Sequence, residues 1–222
     1  MARRALLLVL VVAALCARAA ASSDAPYYYI TPAPPDLTVL LPPPPDLGTA
    51  AERADQAAVA SAVAARTPSQ DAAARESVRS VFFFARSVGD GFNAANFPTT
   101  AGFFERIGSD VGKLIDAAKL HWGRARPSGA AKARGSYPSG HAAFAAATAI
   151  VLAQLLPCKR AAIFAQARGF AENRIILGLH YPSDIAAGWT AGTLAAYVMM
   201  GNASFQTDFS AAKRELHAIC PS

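Results

Sequence analysis

Three short segments of this 222-residue chain hold most of the residue types that could carry out chemistry. In chain order they are Lys119 with Arg126-Pro127, then Pro138-Ser139-Gly140-His141, then Arg174 with His180 and Asp184. Together they supply three cations, two imidazoles and one carboxylate. Cations and the amides of a helix start bind anions, and an imidazole oriented by a carboxylate is a nucleophile or a base. These residues predict the binding of a phosphate dianion and attack on its phosphorus.

The middle segment precedes a long apolar stretch and is typical of a helix start. Ser139 is a favoured N-cap residue, and the first amides of the helix would attract an anion. Gly140 would let a ligand approach the backbone closely. An ordinary capped helix with His141 near its start is the alternative, and this segment alone does not decide between the two.

The first segment offers two cations that converge if a helix ends between them. Arg126 can present a bidentate fork to phosphate oxygens, and Lys119 adds a compact charge. A solvated basic helix end is the alternative, because cations there also complement the helix dipole. Arg124 is expected either to support this site or to be exposed.

The third segment predicts a histidine–aspartate pair. Arg174 lies near the end of a predicted helix, and His180 lies in the turn that follows. We expect Ser183 to cap the next helix, which places Asp184 in its first turn. Asp184 could then bond one ring nitrogen of His180 and leave the other as a nucleophile. A pair that only stabilises the turn is the alternative.

The elements that position these segments are predicted to be helices. Thr49 and Glu52 form a capping-box pattern before a helix to about residue 66, and Thr67-Pro68-Ser69-Gln70 repeats it before a helix to about Val88. Further helices are predicted over 100–121, 139–156, 158–177, 183–200 and 207–219. Alternating β patterns are few, so the sequence predicts an all-α fold. We expect one compact helical bundle with a buried central helix hairpin.

Two predicted helices are almost wholly apolar, over 142–156 and 185–200. Both are shorter than the roughly 20 residues that span a bilayer. A helix that is apolar all round can also form the core of a bundle. We expect both to be core helices, without stable membrane insertion.

The first residues have the pattern of an export signal. Arg3 and Arg4 precede the apolar stretch Ala5–Leu15, and Ala19-Ala20-Ala21 offers a cleavage site. We predict a signal peptide over 1–21, a Pro-rich extended arm over 22–47 and one all-α domain over 48–222. The predicted location is the periplasm or the medium. An uncleaved membrane anchor is the alternative.

The net charge limits the classes of ligand that the exported chain is expected to bind, and its cysteines indicate a possible disulfide. The formal charge of +6 falls to +3 when Arg3, Arg4 and Arg18 leave with the signal. Without a dense Lys/Arg run, this argues against nucleic acid and favours a small anionic substrate. Cys158 and Cys220 remain, and an exported protein can pair them. Two isolated thiols are the alternative.

The three segments in this order resemble the signature of the phosphatidic acid phosphatase type 2/vanadium haloperoxidase superfamily. More narrowly, residues 119–127, residues 135–141 and the Leu41-Pro42-Pro43-Pro44-Pro45 run resemble the secreted class A bacterial non-specific acid phosphatases. The resemblance covers most of the chain after residue 40. One residue departs from the pattern: Asn173 stands where the family usually has Ser.

The resemblance implies a secreted acid phosphatase that hydrolyses a broad range of phosphate monoesters. His180 would attack phosphorus and form a phosphohistidine, Asp184 would orient His180, and His141 would protonate the leaving alkoxide and then activate water. The phosphate oxygens would be bound by cationic side chains and amides, at Lys119, Arg126, Arg174, Ser139 and Gly140. The resemblance implies no metal or other cofactor. It implies small-molecule phosphomonoesters as partners and leaves homo-oligomerisation open.

Three other functions stay open at this point. A vanadium-dependent haloperoxidase would hold vanadate in the same pocket, although the short chain and the residues around the motifs favour the phosphatase. A lipid phosphate phosphatase of the superfamily would need several full spanning helices. An exported phosphate-binding module without catalysis would not need His141, His180 and Asp184 together.

Overall fold

Helices form the regular structure of this chain, which the computed structural model describes over residues 26–129 and 135–221. Within those ranges there is no β-strand, and the all-α prediction is confirmed. The α-helices are α1 (Leu37–Leu40), α2 (Ala50–Ala65), α3 (Pro68–Arg75), α4 (Ala85–Val88), α5 (Pro98–Trp122), α6 (Gly140–Leu155), α7 (Arg160–Ile176), α8 (Pro182–Met200) and α9 (Ala203–Glu215). Three 3₁₀ helices cover Val81–Phe84, Pro157–Lys159 and His217–Ile219. The predicted signal peptide over 1–21 lies outside the described residues.

Helix α6 forms the centre of the bundle, and 13 of its 16 residues are buried. Helices α5, α7 and α8 all pack against it. Its alanines let these neighbours approach closely, and Phe144 and Leu152 fill the space between them. No helix in the described part of the chain is both long enough and apolar enough to cross a bilayer. The expectation that this apolar helix lies in the core is confirmed.

Two glycines bring α8 against the backbone of α6. A Cβ at Gly188 would lie 2.3 Å from the carbonyl oxygen of Ser139, and one at Gly192 would lie 2.1 Å from that of Ala143. Both distances are shorter than any real Cβ contact, so only glycine fits at either position. The central buried pair is therefore α6 and α8, with α7 between them in the chain.

One predicted helix is shorter than expected. The helix that begins after Thr67 has the predicted capping box but ends at Arg75 rather than Val88. Ser80 then accepts a hydrogen bond from the Phe82 amide at 3.2 Å and starts a 3₁₀ helix. This second start turns the side chains of Val81 and Phe84 into the core, where they are 3% and 0% exposed.

The segment before α2 is fastened to the bundle by one buried carboxylate. Asp110 of α5 accepts hydrogen bonds from the backbone amides of Tyr28 at 2.9 Å, Tyr29 at 2.7 Å and Ile30 at 3.3 Å. Asp110 itself is fully buried. Because an unpaired buried carboxylate is costly, these amides hold the start of the arm in place.

The sequence predicts an extended Pro-rich arm. The arm is not extended throughout, because α1 forms a helical turn within it. Asp36 caps α1 by accepting from the Thr38 amide at 2.9 Å, in a stretch that proline does not interrupt. Further along, the carbonyl oxygen of Pro42 accepts a hydrogen bond from the Tyr137 hydroxyl. The arm thereby contacts the loop that leads into α6.

A disulfide joins Cys158 and Cys220, whose Cα atoms lie 5.9 Å apart. It connects the 3₁₀ helix before α7 to the end of the chain. The two cysteines are therefore bonded rather than isolated thiols.

Candidate active site

His180 is held between a carboxylate and a guanidinium. Its Nδ1 lies 3.3 Å from Oδ2 of Asp184, and its Nε2 lies 3.0 Å from Nη1 of Arg126. A guanidinium only donates hydrogen bonds, so Nε2 accepts and the ring proton is on Nδ1. Burial, together with repulsion from Lys119 and Arg126, outweighs the effect of Asp184 and lowers the pKa of His180 to about 4. Above that pH the ring is neutral, with its lone pair on Nε2.

The turn between α7 and α8 sets the position of this ring. The carbonyl oxygen of Arg174 accepts hydrogen bonds from the amides of Leu179 at 2.9 Å and His180 at 3.3 Å. Gly178 has a φ of 65°, in the left-handed region that favours glycine. The turn thus places Arg174 and His180 together, as the sequence predicts.

Helix α8 begins two residues earlier than a cap at Ser183 would allow. Pro182 is its first residue, a position where the missing amide of proline costs nothing. The amide of Tyr181 donates to Oδ2 of Asp184 at 2.9 Å. Ser183 lies inside the first turn, so the prediction that it caps the helix is wrong.

Asp184 is fully buried and has partners on both carboxylate oxygens. Oδ2 faces His180 and Tyr181, and Oδ1 accepts from Nη1 of Arg124 at 2.7 Å. Burial raises the pKa of Asp184, but the hydrogen bonds from His180 and Tyr181 and the charge of Arg124 outweigh it and lower the pKa. Asp184 is therefore ionised where it contacts the imidazole.

Three cationic side chains of the predicted site are turned inward. Lys119 and Arg174 are only 6% and 8% exposed. Lys119 donates to the carbonyl oxygens of Gly135 at 2.7 Å and Ser136 at 3.0 Å. Arg126 donates to the carbonyl oxygen of Leu179 at 2.8 Å and, more weakly, to that of Gly135 at 3.3 Å.

Two of these cations keep a buried donor without an acceptor. Nε of Arg126 and Nε of Arg174 have no hydrogen-bond partner among the residues that the structure describes. Burial lowers the pKa of both side chains, and with repulsion from Arg126 it brings that of Arg174 to about 10. Unpaired donors on buried charges are costly. An anion with several oxygens would supply the missing acceptors and the opposite charge.

The segment that starts α6 is joined to the His180 segment through backbone atoms. Ser139 caps α6 as predicted, since its Oγ accepts from the Ala142 amide at 3.3 Å. The amide of Ser139 donates to the carbonyl oxygen of Asp184 at 2.9 Å. That amide already has a partner, whereas the Ser139 hydroxyl and the first-turn amide of Gly140 can donate to an anion.

His141 is the second residue of α6 and is partly exposed. Its ring stacks on that of Phe170 of α7, with centroids 5.6 Å apart and planes inclined by 27°. Because the Ser139–Asp184 bond joins the starts of α6 and α8, His141 and His180 lie at the same end of the bundle. Asn173, the departure from the family pattern, donates to the Ser77 hydroxyl at 2.8 Å.

The sequence reasoning missed Asp55 of α2 and left Arg124 undecided. Nη2 of Arg124 donates to Oδ2 of Asp55 at 2.8 Å, and the two side chains are 10% and 7% exposed. A signal was present: Glu52, Asp55 and Val59 are spaced to share one face of α2, and all three are buried. Two carboxylates on an inward face indicate buried polar partners.

Residues 111–207 match the PAP2 superfamily, and this span contains all three site segments. The chain carries a PAP2 superfamily domain. The "Acid phosphatase" of Zymomonas mobilis subsp. mobilis is 31% identical over 147 residues, which cover 60% of this chain and 55% of that protein. The "Non-specific acid phosphatase" of Salmonella typhimurium is 26% identical over 148 residues, covering 60% and 59%.

The PAP2 domain also has a structural relative. The crystal structure of a transmembrane PAP2 type phosphatidylglycerolphosphate phosphatase from Bacillus subtilis aligns with a TM-score of 0.53 and 21% identity. The alignment covers 70% of this chain and 87% of that one. At this identity the likeness shows a shared fold. The chain spans little more than half of the length of the Zymomonas and Salmonella proteins.

Proposed function

We propose that this protein is an acid phosphatase that hydrolyses a broad range of small phosphate monoesters. One observation carries the proposal: the unprotonated Nε2 of His180 lies beside Arg126, whose buried Nε, like that of Arg174, has no acceptor within residues 26–129 and 135–221. A phosphate bound there would offer oxygens to both arginines and phosphorus to the imidazole. The names of the bacterial relatives support the same activity.

The reaction would proceed in two steps through a phosphohistidine. Nε2 of His180 attacks phosphorus in line, so the N–P bond forms as the ester P–O bond breaks. His141 gives a proton to the leaving alkoxide, and Asp184 stabilises the positive imidazole ring. In the second step His141 takes a proton from water, the water oxygen bonds to phosphorus, and the N–P bond breaks. Lys119, Arg126 and Arg174 would stabilise the charge on the phosphate oxygens.

The different protonation states that His180 and His141 need predict an acidic pH optimum. His180 must be neutral to attack, so activity is lost as the pH falls through its pKa of about 4. His141 must be protonated to serve the leaving group, so activity is also lost as the pH rises. Cations and amides hold the phosphate in this proposal, and we expect the reaction to need no metal.

The test uses the purified protein with p-nitrophenyl phosphate between pH 3 and pH 9, with and without EDTA. We expect a maximum below pH 7, no loss with EDTA, and an acid-labile phosphoenzyme after rapid quenching. His180→Asn should abolish both turnover and the phosphoenzyme. Turnover near the wild-type rate in that variant would refute the assigned nucleophile.

We also propose that the chain is exported to the periplasm or medium and that residues 48–222 form its catalytic domain. The basic and apolar residues at the start of the chain support export, from Arg3 to Leu15. N-terminal sequencing of the protein expressed at full length should find a mature chain beginning after Ala21. Recovery of the intact chain from the cytoplasmic fraction alone would contradict export.

A further inference from the structure

A buried row of alternating charges runs from α2 to the imidazole of His180. Its charged members are Asp55, Arg124 and Asp184, and the neutral ring of His180 ends the row. Each adjacent pair is in hydrogen-bond contact, at 2.8 Å between Asp55 and Arg124, 2.7 Å between Arg124 and Asp184, and 3.3 Å between Asp184 and His180. The carboxylates and the guanidinium are each at most 10% exposed.

The guanidinium of Arg124 is fixed in a bridging position. Its Nη1 donates hydrogen bonds to Asp184 and to the Ser183 hydroxyl, both at 2.7 Å, and its Nη2 donates to Asp55. The plane lies over the ring of Tyr181, 4.1 Å from the centroid. Only a forked side chain can bond two separate carboxylates in this way.

Asp55 is fixed just as firmly from the other side. Its Oδ1 accepts the amide of Ser183 at 3.1 Å, and its Oδ2 accepts the Ser183 hydroxyl as well as Arg124. Without Asp55, both Nη atoms of Arg124 could turn onto Asp184 as a bidentate pair. Oδ2 of Asp184 would then be drawn away from Nδ1 of His180.

We propose that Arg124 and Asp55 are positioning residues that hold Asp184 against Nδ1 of His180 and so keep the lone pair of the ring on Nε2. This rests on the proposed function, in which Nε2 attacks phosphorus. Neither residue needs to touch the substrate. Arg124 donates to Asp55 as well as to Asp184, so it occupies only Oδ1 of Asp184. Oδ2 of Asp184 therefore stays directed at the imidazole.

The experiment compares Arg124→Gln, Arg124→Lys and Asp55→Asn with the wild type. The ring ¹⁵N shifts of His180 at pH 7, assigned with His180→Gln, report which nitrogen carries the proton. We expect the Nδ1–H form in the wild type and a mixture of both forms in Arg124→Gln and Asp55→Asn. Since small misplacements of a reacting group cost about 100-fold, kcat for p-nitrophenyl phosphate should fall about 10- to 100-fold, with a much smaller change in KM. Arg124→Lys should stay at least about tenfold below wild type, because an ammonium cannot bridge both carboxylates as a fork does.

Asp208→Asn is the matched control, because Asp208 also pairs with an arginine, Arg106, which precedes Lys119 by 13 residues on the same helix. It should keep the wild-type tautomer and kcat. The proposal is overturned if Asp55→Asn keeps the Nδ1–H form and wild-type kcat, or if Asp208→Asn disturbs both equally. Asp55→Asn alone decides the matter if Arg124→Gln fails to fold by circular dichroism. Wild-type protein without phosphatase activity would refute the proposed function, while the ring ¹⁵N shifts would still test the positioning.

Discussion

Gly192 lies so close to Ala143 that a Cβ on the glycine would stand 2.1 Å from the alanine carbonyl oxygen. Gly192→Ala must therefore push α8 away from α6, since the obstacle is backbone. We expect it to lower the free energy of unfolding by about 1 to 3 kcal/mol, the usual cost of overpacking. It should also lower kcat/KM, because the same two helices carry His141 and Asp184. Urea unfolding and steady-state kinetics measure the two effects.

Gly169→Ala on α7 is the control for this prediction. A Cβ at Gly169 meets no described residue within 4 Å, so the change adds a methyl group without a clash. Alanine is favoured over glycine inside a helix by up to about 1 kcal/mol, so stability should stay the same or rise slightly. Equal losses in both variants would show that helix content, not the contact between α6 and α8, is responsible.

Replacing Arg174 with Met should make the unliganded protein more stable and abolish its response to phosphate. The wild-type guanidinium is buried and repelled by Arg126, and its Nε has no acceptor in the described part of the chain. Removing such a charge is expected to raise the free energy of unfolding by about 1 kcal/mol or more. The wild type should gain about 2.7 kcal/mol at a phosphate concentration 100 times Kd, and Arg174→Met almost nothing. Thermal unfolding with and without inorganic phosphate makes both measurements.

Arg168→Met tests whether the phosphate response is specific. Arg168 is on the same helix but is exposed, with its guanidinium 5.8 Å from the Trp189 ring centroid. Its loss should leave the phosphate-induced stabilisation intact. If both variants lose the phosphate-induced stabilisation to the same extent, that stabilisation depends on the net charge of the protein and not on Arg174.

Tyr137→Phe should release the Pro-rich arm from the loop before α6. The buried Tyr137 ring packs edge-on against Trp122 at 4.9 Å and donates its hydroxyl to the Pro42 carbonyl. Loss of one such hydrogen bond should cost about 1 kcal/mol of unfolding free energy. Exchange of the backbone amides that flank the prolines, those of Leu41 and Asp46, should become faster. Tyr197→Phe, at a side chain that is 79% exposed, should change neither quantity.

His180 should make the folded state less stable at acid pH. Its pKa is about 4 in the folded protein, below the 6.5 of an ordinary histidine. Between these values the unfolded chain binds a proton that the folded chain does not, so stability falls as the pH drops from about 6.5 to 4. His180→Gln should remove that part of the pH dependence. The urea midpoint of the wild type should fall relative to that of His180→Gln as the pH is lowered through this window.

The sequence was sufficient for the local features of this fold. Capping residues such as Thr49 and Ser139 act within four residues, so their helix starts could be predicted from short stretches. The order of the three site segments likewise identified His180 and Asp184 as a pair, and the structure brings them into contact.

Features that depend on distant contacts were not predictable in the same way. The early end of α3 depends on burying Val81 and Phe84 against other helices, which no local pattern specifies. Asp55 lies 69 residues from its partner Arg124, and one sequence does not show which carboxylate pairs with which arginine. Motifs therefore located the residues of the proposed site, whereas tertiary packing determines which residues contact and support them.

The bond between the Ser139 amide and the Asp184 carbonyl uses backbone atoms alone. A change of the side chain at position 184 would therefore remove the carboxylate partner of the imidazole without removing this hydrogen bond between the starts of α6 and α8. If His180 attacks phosphorus as proposed, Asp184→Ala should bind an intact phosphoester without cleaving it, so that the bound pose of the ester could be determined.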